Sequence, residues 1–473
     1  MSAHTAVLTG PIEGGKGAPF GAPAISLADR GYVVEEFLLS GIAGSYEPVP
    51  GSPVGIDGRW EVQHGAEAPY VTRFYVVRPT DPSMFNGVLV VNWQNVTAGV
   101  DLGVPTAEIY RGYAWAGVTT QRVAIDGQPA RGPEFSATSG LPAWDPERYG
   151  TLSHPGDAWS YDIFTQAARA LIAGRSSSGV DPLGGLVPQT VLASGGSQSA
   201  IRLGSYLNIA HPHERLFDGF QLTVHWGMCP PPPDQSLQQS FAPRPGGLTA
   251  GSARLRDDGG VPIMVLCSET EALNNYPVRQ PDSATFRFWE MAGTAHAAGA
   301  AFDALADGTT GLNLLAGLPE GFVPNTVDWG YVADAALRHL VGWVQQGTPP
   351  PVFPPIEVEA GQPPVICRDA DGNATGGMRL PELVAATGTH RGTNTVGPAA
   401  SLLGETVPFS RAQLTARYPT REHYVDVWNA AVTALSTTGL DLGPDLEELR
   451  ARGLRLADAL FTAGPEPRSG GPA

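Results

Sequence analysis

A buried strand that ends in two glycines and a serine, and continues directly into a helix, constrains the fold of this chain more than any other segment. The apolar run Thr190–Ala193 is followed by Gly195, Gly196 and Ser197, and a helical pattern begins at the serine. A serine in such a turn is held in a strained backbone conformation that projects its hydroxyl from the strand, so its near neighbours must be small. Gly195 and Ser199, two residues away on either side, meet this requirement. The segment predicts a nucleophilic serine near the positive end of a helix.

The rest of the chain alternates strand-like with helix-like segments. Strands are predicted at Tyr32–Leu39, Val71–Arg78, Val88–Val91, Val118–Val123, Thr190–Ala193, Phe217–Val224, Val261–Cys267 and Thr285–Met291. Helices are predicted at Pro105–Ala116, at 157–173, from Ser197 to about Ala210, at 328–346, and near 420–438 and 444–462. The run Val88–Val91 is apolar on both faces, which is typical of a central strand in a parallel sheet. The alternation favours an α/β domain with a mostly parallel central sheet flanked by helices.

Two segments depart from this alternation. Residues 226–258 include Pro230–Pro233 and show little periodicity, so we interpret them as an insertion over one face of the sheet. A proline-rich stretch begins at residue 348. The sequence therefore predicts a catalytic domain at 1–347 and a C-terminal accessory or lid region at 348–473.

Charge and composition exclude several classes of partner. The net charge of −17 offers no basic patch for nucleic acid or for anionic membranes. No apolar stretch is long enough to span a bilayer, and the first residues do not form a secretory signal. The three cysteines have no paired spacing, which favours a reducing, cytoplasmic location. No metal-binding pattern is present, and no cofactor is implied.

A serine nucleophile needs a base and an orienting acid, and both follow in the expected order. In α/β enzymes with a serine in such a turn, the acid comes next along the chain and the histidine last. Glu269 and Glu271 follow the predicted strand Val261–Cys267, and His296 follows the strand Thr285–Met291. We expect His296 to be the base, with His225 as its rival. Both glutamates remain candidates for the acid, and Glu271 is favoured.

Other residues are candidates for transition-state stabilisation and for the substrate pocket. The backbone amide of Gln198, directly after the nucleophile, is one expected donor to an oxyanion. The second donor is expected in the loop after Val88–Val91, at Gln94 or Asn95. The candidates for the walls of the substrate pocket are Trp93, His225, Trp226 and Tyr276.

Several stretches together resemble a bacterial family of large proteins described as "alpha/beta hydrolase domain". They include GVLVVNWQNVTAG, RYGTLSHPGDAWSYDIF, GGSQSA, SETEA, AGTAHA and YPTREHYVDVWNAAV, and the resemblance spans most of residues 30–465. It implies the α/β-hydrolase fold, Ser197 as nucleophile, His296 as base and the glutamate pair as candidate acids. Here the turn reads G-x-S-x-S, whereas G-x-S-x-G is the commoner form.

The residues and the resemblance together predict a serine esterase that acts on a small-molecule ester or lactone through an acyl-enzyme. Lactonases, amidases and acyltransferases use the same machinery, so these activities remain alternatives. A non-catalytic protein that binds a small molecule is the alternative from another class. The sequence does not indicate an oligomeric state.

Overall fold

The computed structural model describes residues 5–23, 25–103, 106–130, 137–174, 179–232, 237–297, 318–397 and 400–462. Nine strands, numbered β1 to β9 along the chain, form one sheet. They are Val7–Thr9, Tyr32–Pro48, Val62–Pro79, Val88–Trp93, Ala114–Val118, Thr190–Gly196, Gly219–Thr223, Ile263–Ser268 and Phe286–Met291. Their spatial order is β1-β2-β3-β5-β4-β6-β7-β8-β9.

Six of the nine strands are parallel, which confirms the predicted mostly parallel sheet. β5, β4, β6, β7, β8 and β9 pair in parallel, whereas β1, β2 and β3 join them through antiparallel ladders. The central position of β4, between β5 and β6, explains why Val88–Val91 is apolar on both faces. The parallel arrangement brings the carboxyl ends of β4, β6, β8 and β9 to one edge of the sheet.

The described residues include five longer helices, numbered α1 to α5, and the first three pack against the sheet. They are Ser160–Ile172, Gln198–Ile209, Gly330–Gln346, Arg421–Thr437 and Leu446–Thr462. Short α-helices occur at Arg122–Asp126, Gly140–Trp144, Pro146–Tyr149, His211–Glu214, Leu237–Ser240, Ala272–Asn275, Pro381–Val384 and Arg411–Arg417. Single 3₁₀ turns occur at Ala28–Arg30, Pro82–Met84, Ala107–Tyr110, Asp157–Trp159, Pro245–Gly247, Glu269–Glu271, Tyr276–Val278, Ala400–Leu403 and Gly443–Asp445. Two small antiparallel pairs lie at Val358–Glu359 with Val365–Ile366, and at Gly388–Arg391 with Glu405–Pro408.

One stretch folds differently from its prediction. The predicted helix Pro105–Ala116 is a 3₁₀ turn followed by the start of β5, and the predicted strand Val118–Val123 contains only the last residue of that strand. Pro105 itself lies outside the described residues. Pairing with β4 on one side and β3 on the other places Ala114–Val118 inside the sheet. At Gly117 a Cβ would lie 2.0 Å from Nε2 of Gln94, so the Gln94 side chain occupies the space above this residue.

The two faces of the sheet carry separate hydrophobic clusters. Leu89 and Val91 of β4 point into a cluster with α1 and α2, while Val88 and Val90 point into a cluster with α3. Residues of the C-terminal region, among them Met378, Leu383, Tyr424 and Trp428, belong to the α3 cluster. The C-terminal region therefore packs on the same face of the sheet as α3.

The predicted insertion at 226–258 packs against α2. The hydroxyl of Ser205 donates to the carbonyl of Pro230 at 2.9 Å, and the side-chain Nδ2 of Asn208 donates to the carbonyl of Arg254 at 2.9 Å. Residues 233–236, which include the last proline of the Pro230–Pro233 run, lie outside the described residues. Within the described part of the chain, no helix has the length and hydropathy needed to cross a membrane.

Candidate active site

Ser197 occupies a sharp turn between β6 and α2. Its backbone angles are φ 57° and ψ −121°, a region that side-chain-bearing residues rarely adopt and that costs on the order of 1–3 kcal/mol. The amide of Ser197 donates to the carbonyl of Thr223 on β7 at 2.9 Å, which ties the turn to the neighbouring strand. The hydroxyl of Ser199 bonds both the amide and the carbonyl of Gly196 at 2.9 Å. The serine that departs from the commoner motif therefore stabilises the turn.

His296 lies between Ser197 and Glu271. Its Nε2 is 2.8 Å from the Ser197 hydroxyl, and its Nδ1 is 2.5 Å from Oε1 of Glu271. The other oxygen of Glu271 accepts hydrogen bonds from the amide of Ser268 at 2.9 Å and from its hydroxyl at 2.7 Å. These bonds form a capping box at the first turn after β8, and they hold a fully buried carboxylate with one oxygen facing the imidazole.

Glu269, the other candidate acid, faces away from His296. Its Oε2 accepts from the amide of Gly293 at 2.8 Å, and its Oε1 accepts from Arg368 at 2.8 Å and from the amide of Gly392 at 3.2 Å. Each oxygen is occupied by a donor other than the imidazole. The geometry therefore pairs Glu271 with the histidine and gives Glu269 a different role.

Gln198 begins α2, so its backbone N–H has no partner within the helix. Its side chain is anchored on both sides: Oε1 accepts from the amide of Val96 at 3.1 Å, and Nε2 donates to Gln121 at 2.7 Å. Gln121 also accepts from the Trp93 indole at 3.2 Å and donates to Asp157 at 3.1 Å. This network joins the loops after β4 and β5 to the serine turn.

The backbone amides of Gln94 and Asn95 are not available as the predicted oxyanion donors. The Gln94 amide donates to the carbonyl of Val118 at 3.2 Å, and the Asn95 amide donates to the carbonyl of Leu102 at 3.0 Å. Strand-end pairing takes both N–H groups, which the sequence pattern did not reveal. Asn95 instead contacts the serine turn through its side chain, whose Nδ2 donates to the carbonyl of Gly196 at 2.9 Å.

Two of the four predicted pocket residues are internal. Trp93 is fully buried and packs on Phe164 and Tyr161, with ring centroids 5.0 and 5.7 Å away. His225 is also buried, and both ring nitrogens are bonded within its own turn, to the carbonyl of Met228 at 3.0 Å and the amide of Gly227 at 3.2 Å. Burial lowers the pKa of His225 to about 4, so the ring is neutral. These two residues support the site and do not line it.

Trp226 is the predicted pocket residue that lies at the site. Its ring centroid is 5.3 Å from that of His296 and 5.7 Å from that of Phe241. Tyr276 is half-buried and stacks against the guanidinium of Arg279 at 5.4 Å. Of the four, Trp226 therefore forms a wall beside the imidazole.

A family model described as "Alpha/beta hydrolase domain" matches residues 8–451. The chain belongs to this family. The match confirms the resemblance found in the sequence and extends over the sheet, the serine turn and most of the C-terminal region. The fold of this alpha/beta hydrolase domain and its relationship to hydrolases are thus established.

The solved structures to which this chain is similar are distant. A protein from Klebsiella pneumoniae subsp. pneumoniae with the provisional description dienelactone hydrolase is 12% identical; the alignment covers 64% of this chain and 99% of that one, with a TM-score of 0.28. A bacterial heroin esterase is 16% identical over 46% of this chain and 49% of that one, with a TM-score of 0.22. No curated protein sequence matches the chain.

Two polar residues of this alpha/beta hydrolase domain were missed by the sequence interpretation. Thr270 lies between the two glutamates, and its hydroxyl accepts from the amide of His296 at 2.9 Å. Gln121 follows β5 at the edge of the sheet where the serine turn lies, and this position is the signal that would have identified it. Among the described residues, no cluster of three or more His, Cys, Asp or Glu side chains is arranged to hold a metal ion.

Proposed function

We propose that this hydrolase cleaves a carboxylic ester of a small molecule through an acyl-enzyme on Ser197. The observation that carries the proposal is the continuous hydrogen-bonded chain from the Ser197 hydroxyl through His296 to Glu271, with distances of 2.8 and 2.5 Å. A serine hydroxyl is a weak nucleophile until a base takes its proton, and the imidazole Nε2 is within reach of that proton.

In the first half-reaction, Nε2 of His296 removes the proton as the Ser197 oxygen attacks the acyl carbon. The buried Glu271 carboxylate then stabilises the imidazolium and holds its Nδ1 proton in place. The backbone amide of Gln198 donates to the oxyanion, since it opens a helix whose positive end faces the serine. His296 next protonates the leaving alcohol. In the second half-reaction, a water molecule repeats these steps on the acyl-enzyme and releases the acid.

The surroundings of the site support a small ester or lactone as the substrate. Trp226 presents aromatic surface beside His296, and Phe241 packs against Trp226. The cysteines are free thiols, which fits the cytoplasmic location that the sequence predicts.

The test is treatment of the purified protein with a fluorophosphonate, followed by intact-mass analysis and peptide mapping. We expect one adduct on Ser197, no adduct in His296→Ala, and hydrolysis of p-nitrophenyl esters that disappears in Ser197→Ala. Ser205→Ala, a change at a buried serine two turns along α2, serves as the matched control and should keep both properties. A wild-type protein that forms no adduct and turns over no ester would contradict the proposal and favour the non-catalytic alternative.

Product analysis separates the activities that share this machinery. Release of free acid from esters, with no transfer to added alcohols or amines, is the result expected of an esterase. A preference for cyclic esters would identify a lactonase instead, and acyl transfer to the added acceptor would identify a transferase.

A further inference from the structure

The loops that carry Glu271 and His296 are joined to each other by residues other than the pair itself. The amide of Glu269 donates to the carbonyl of Thr294 at 3.2 Å, and the Glu269 carboxylate accepts from the amide of Gly293 at 2.8 Å. The hydroxyl of Thr270 accepts from the amide of His296 at 2.9 Å. Each residue of the turn at 269–271 thus contacts the histidine loop.

The C-terminal region also bonds Thr270 and Glu269, two of the residues that join this turn to the histidine loop. The hydroxyl of Thr270 donates to the carbonyl of Gly392 at 2.5 Å, which leaves its lone pair for the His296 amide. The amide of Gly392 and the guanidinium of Arg368 both donate to Oε1 of Glu269. Glu269 is 2% exposed, so these two donors and the Gly293 amide replace water around its carboxylate.

Packing leaves no room for the C-terminal backbone to shift toward this turn. A Cβ on Gly392 would lie 2.6 Å from the amide nitrogen of Thr270 and 2.7 Å from the Glu269 side chain. Asn325 adds a third connection, because its Nδ2 donates both to the carbonyl of Gly293 at 2.8 Å and to that of Arg391, next to Gly392, at 2.9 Å. The segment around Gly392 therefore packs closely against the loops that carry Glu271 and His296.

We propose that Glu269 and Thr270 are positioning residues, and that Arg368 and Gly392 form a brace through which the C-terminal region holds His296 in line with Ser197. This inference rests on the function proposed above. The hydrogen bonds of these residues reach neither the Ser197 hydroxyl nor the His296 imidazole, so they act through the backbone of the histidine loop. A displacement of about 1 Å at a reacting group can cost about 10²-fold in rate, so a loosened loop should lower kcat and leave substrate binding intact.

The first test compares Thr270→Val with Thr270→Ser in the full-length protein. Valine keeps the shape but removes the hydroxyl that bonds His296 and Gly392, whereas serine keeps the hydroxyl. We expect Thr270→Val to lower kcat for a p-nitrophenyl ester by about 10- to 100-fold with KM within about twofold. Thr270→Ser should restore kcat to within a few-fold of wild type, a rescue that a purely volumetric role would not give.

The second test compares two arginines of the C-terminal region with nearly equal exposure. The side chain of Arg368 is 30% exposed and bonds Glu269, while that of Arg379 is 32% exposed and bonds Asp369 instead of a residue of the catalytic loops. We expect Arg368→Met to lower kcat by about tenfold or more. Arg379→Met should leave kcat unchanged. Equal kcat values in Arg368→Met, Thr270→Val and wild type would contradict the proposal that the brace positions His296.

Hydrogen exchange gives a readout that does not depend on activity. Loss of one hydrogen bond should make the amides at 293–296 exchange about fivefold faster in Thr270→Val and in Arg368→Met, but not in Arg379→Met. If the wild-type protein fails to react with the fluorophosphonate, the proposed function fails, while unchanged exchange in both variants would separately overturn the brace. Arg368→Met alters a partly exposed side chain, so it decides the question even if Thr270→Val does not fold.

Discussion

Nδ1 of His296 lies 2.5 Å from Oε1 of Glu271, in a contact from which water is almost entirely excluded. A carboxylate in this position holds the imidazole in the tautomer whose Nε2 can accept the Ser197 proton, and it stabilises the imidazolium that forms. The second oxygen of Glu271 is bonded to the backbone and hydroxyl of Ser268, so the carboxylate cannot rotate away without breaking both bonds.

Substitution of Glu271 by glutamine should therefore abolish most of the activity while preserving the shape of the site. The amide presents a donor or a neutral acceptor to Nδ1, and we expect kcat to fall by about 10⁴-fold, measured with a p-nitrophenyl ester. Glu290→Gln is the matched control, because Glu290 is equally buried but pairs with Arg279 at 2.7 Å. Comparable losses in both variants would show that a buried charge, and not its contact with His296, governs the rate.

The two glycines before Ser197 should respond differently to alanine. A Cβ on Gly195 would lie 2.9 Å from the carbonyl oxygen of Ser199, whereas a Cβ on Gly196 would meet nothing closer than the Thr223 carbonyl at 4.0 Å. We expect Gly195→Ala to lower the free energy of unfolding by about 1–3 kcal/mol. It should also lower kcat about tenfold or more, because the turn must shift. Gly196→Ala should unfold like the wild type in urea. Similar unfolding curves for the two variants would contradict this account of the turn.

Trp226 should set the preference for bulky apolar esters. Its ring lies beside that of His296, so it borders the space in which the ester must lie. Truncation to alanine removes apolar surface, and we expect the ratio of kcat/KM for a hexanoate ester to that for an acetate ester to fall about tenfold. Trp144→Ala is the control: this half-buried tryptophan packs on Phe20 and Tyr149, away from the serine. An unchanged ratio in Trp226→Ala would place the acyl chain elsewhere.

The features that could be predicted from the sequence depend on short-range constraints. The serine turn follows from small residues directly around Ser197, and the central position of Val88–Val91 follows from its own apolar pattern. His296 was found because it comes just after a strand at the same edge of the sheet as the turn. These positions required only the direction of the chain and the parallel pairing of the strands.

The features that could not be predicted depend on contacts that the residue pattern does not encode, some of them between distant parts of the chain. Glu269 differs in role from Glu271 because it bonds Arg368 and Gly392, which lie 99 and 123 residues further along the chain. The amide of Asn95 is taken by Leu102 through a local bridge, which no residue pattern encodes. β5 lies earlier in the chain than predicted, because the ladders with β3 and β4 that define Ala114–Val118 cannot be read from the local residue pattern.

Stability should fall as the pH rises from about 4.5 to about 7, because of Glu382 in the C-terminal region. This carboxyl is 6% exposed, and burial raises its pKa from 4.5 to about 7 even though Arg452 lies 3.1 Å away; Asp328 nearby adds to the rise. Between pH 4.5 and 7 the folded state keeps the proton that the unfolded chain has lost, so the free energy of unfolding decreases with increasing pH over this window. The raised pKa corresponds to at most about 3 kcal/mol of stability, which is fully lost above pH 7.

Urea unfolding at pH 4.5 and pH 8 should show this difference in the wild type and a smaller one in Glu382→Gln, which is neutral at both pH values. Glu422→Gln, the same change at an exposed position of α4, should behave like the wild type. An identical pH dependence in all three proteins would show that Glu382 titrates normally in the folded state.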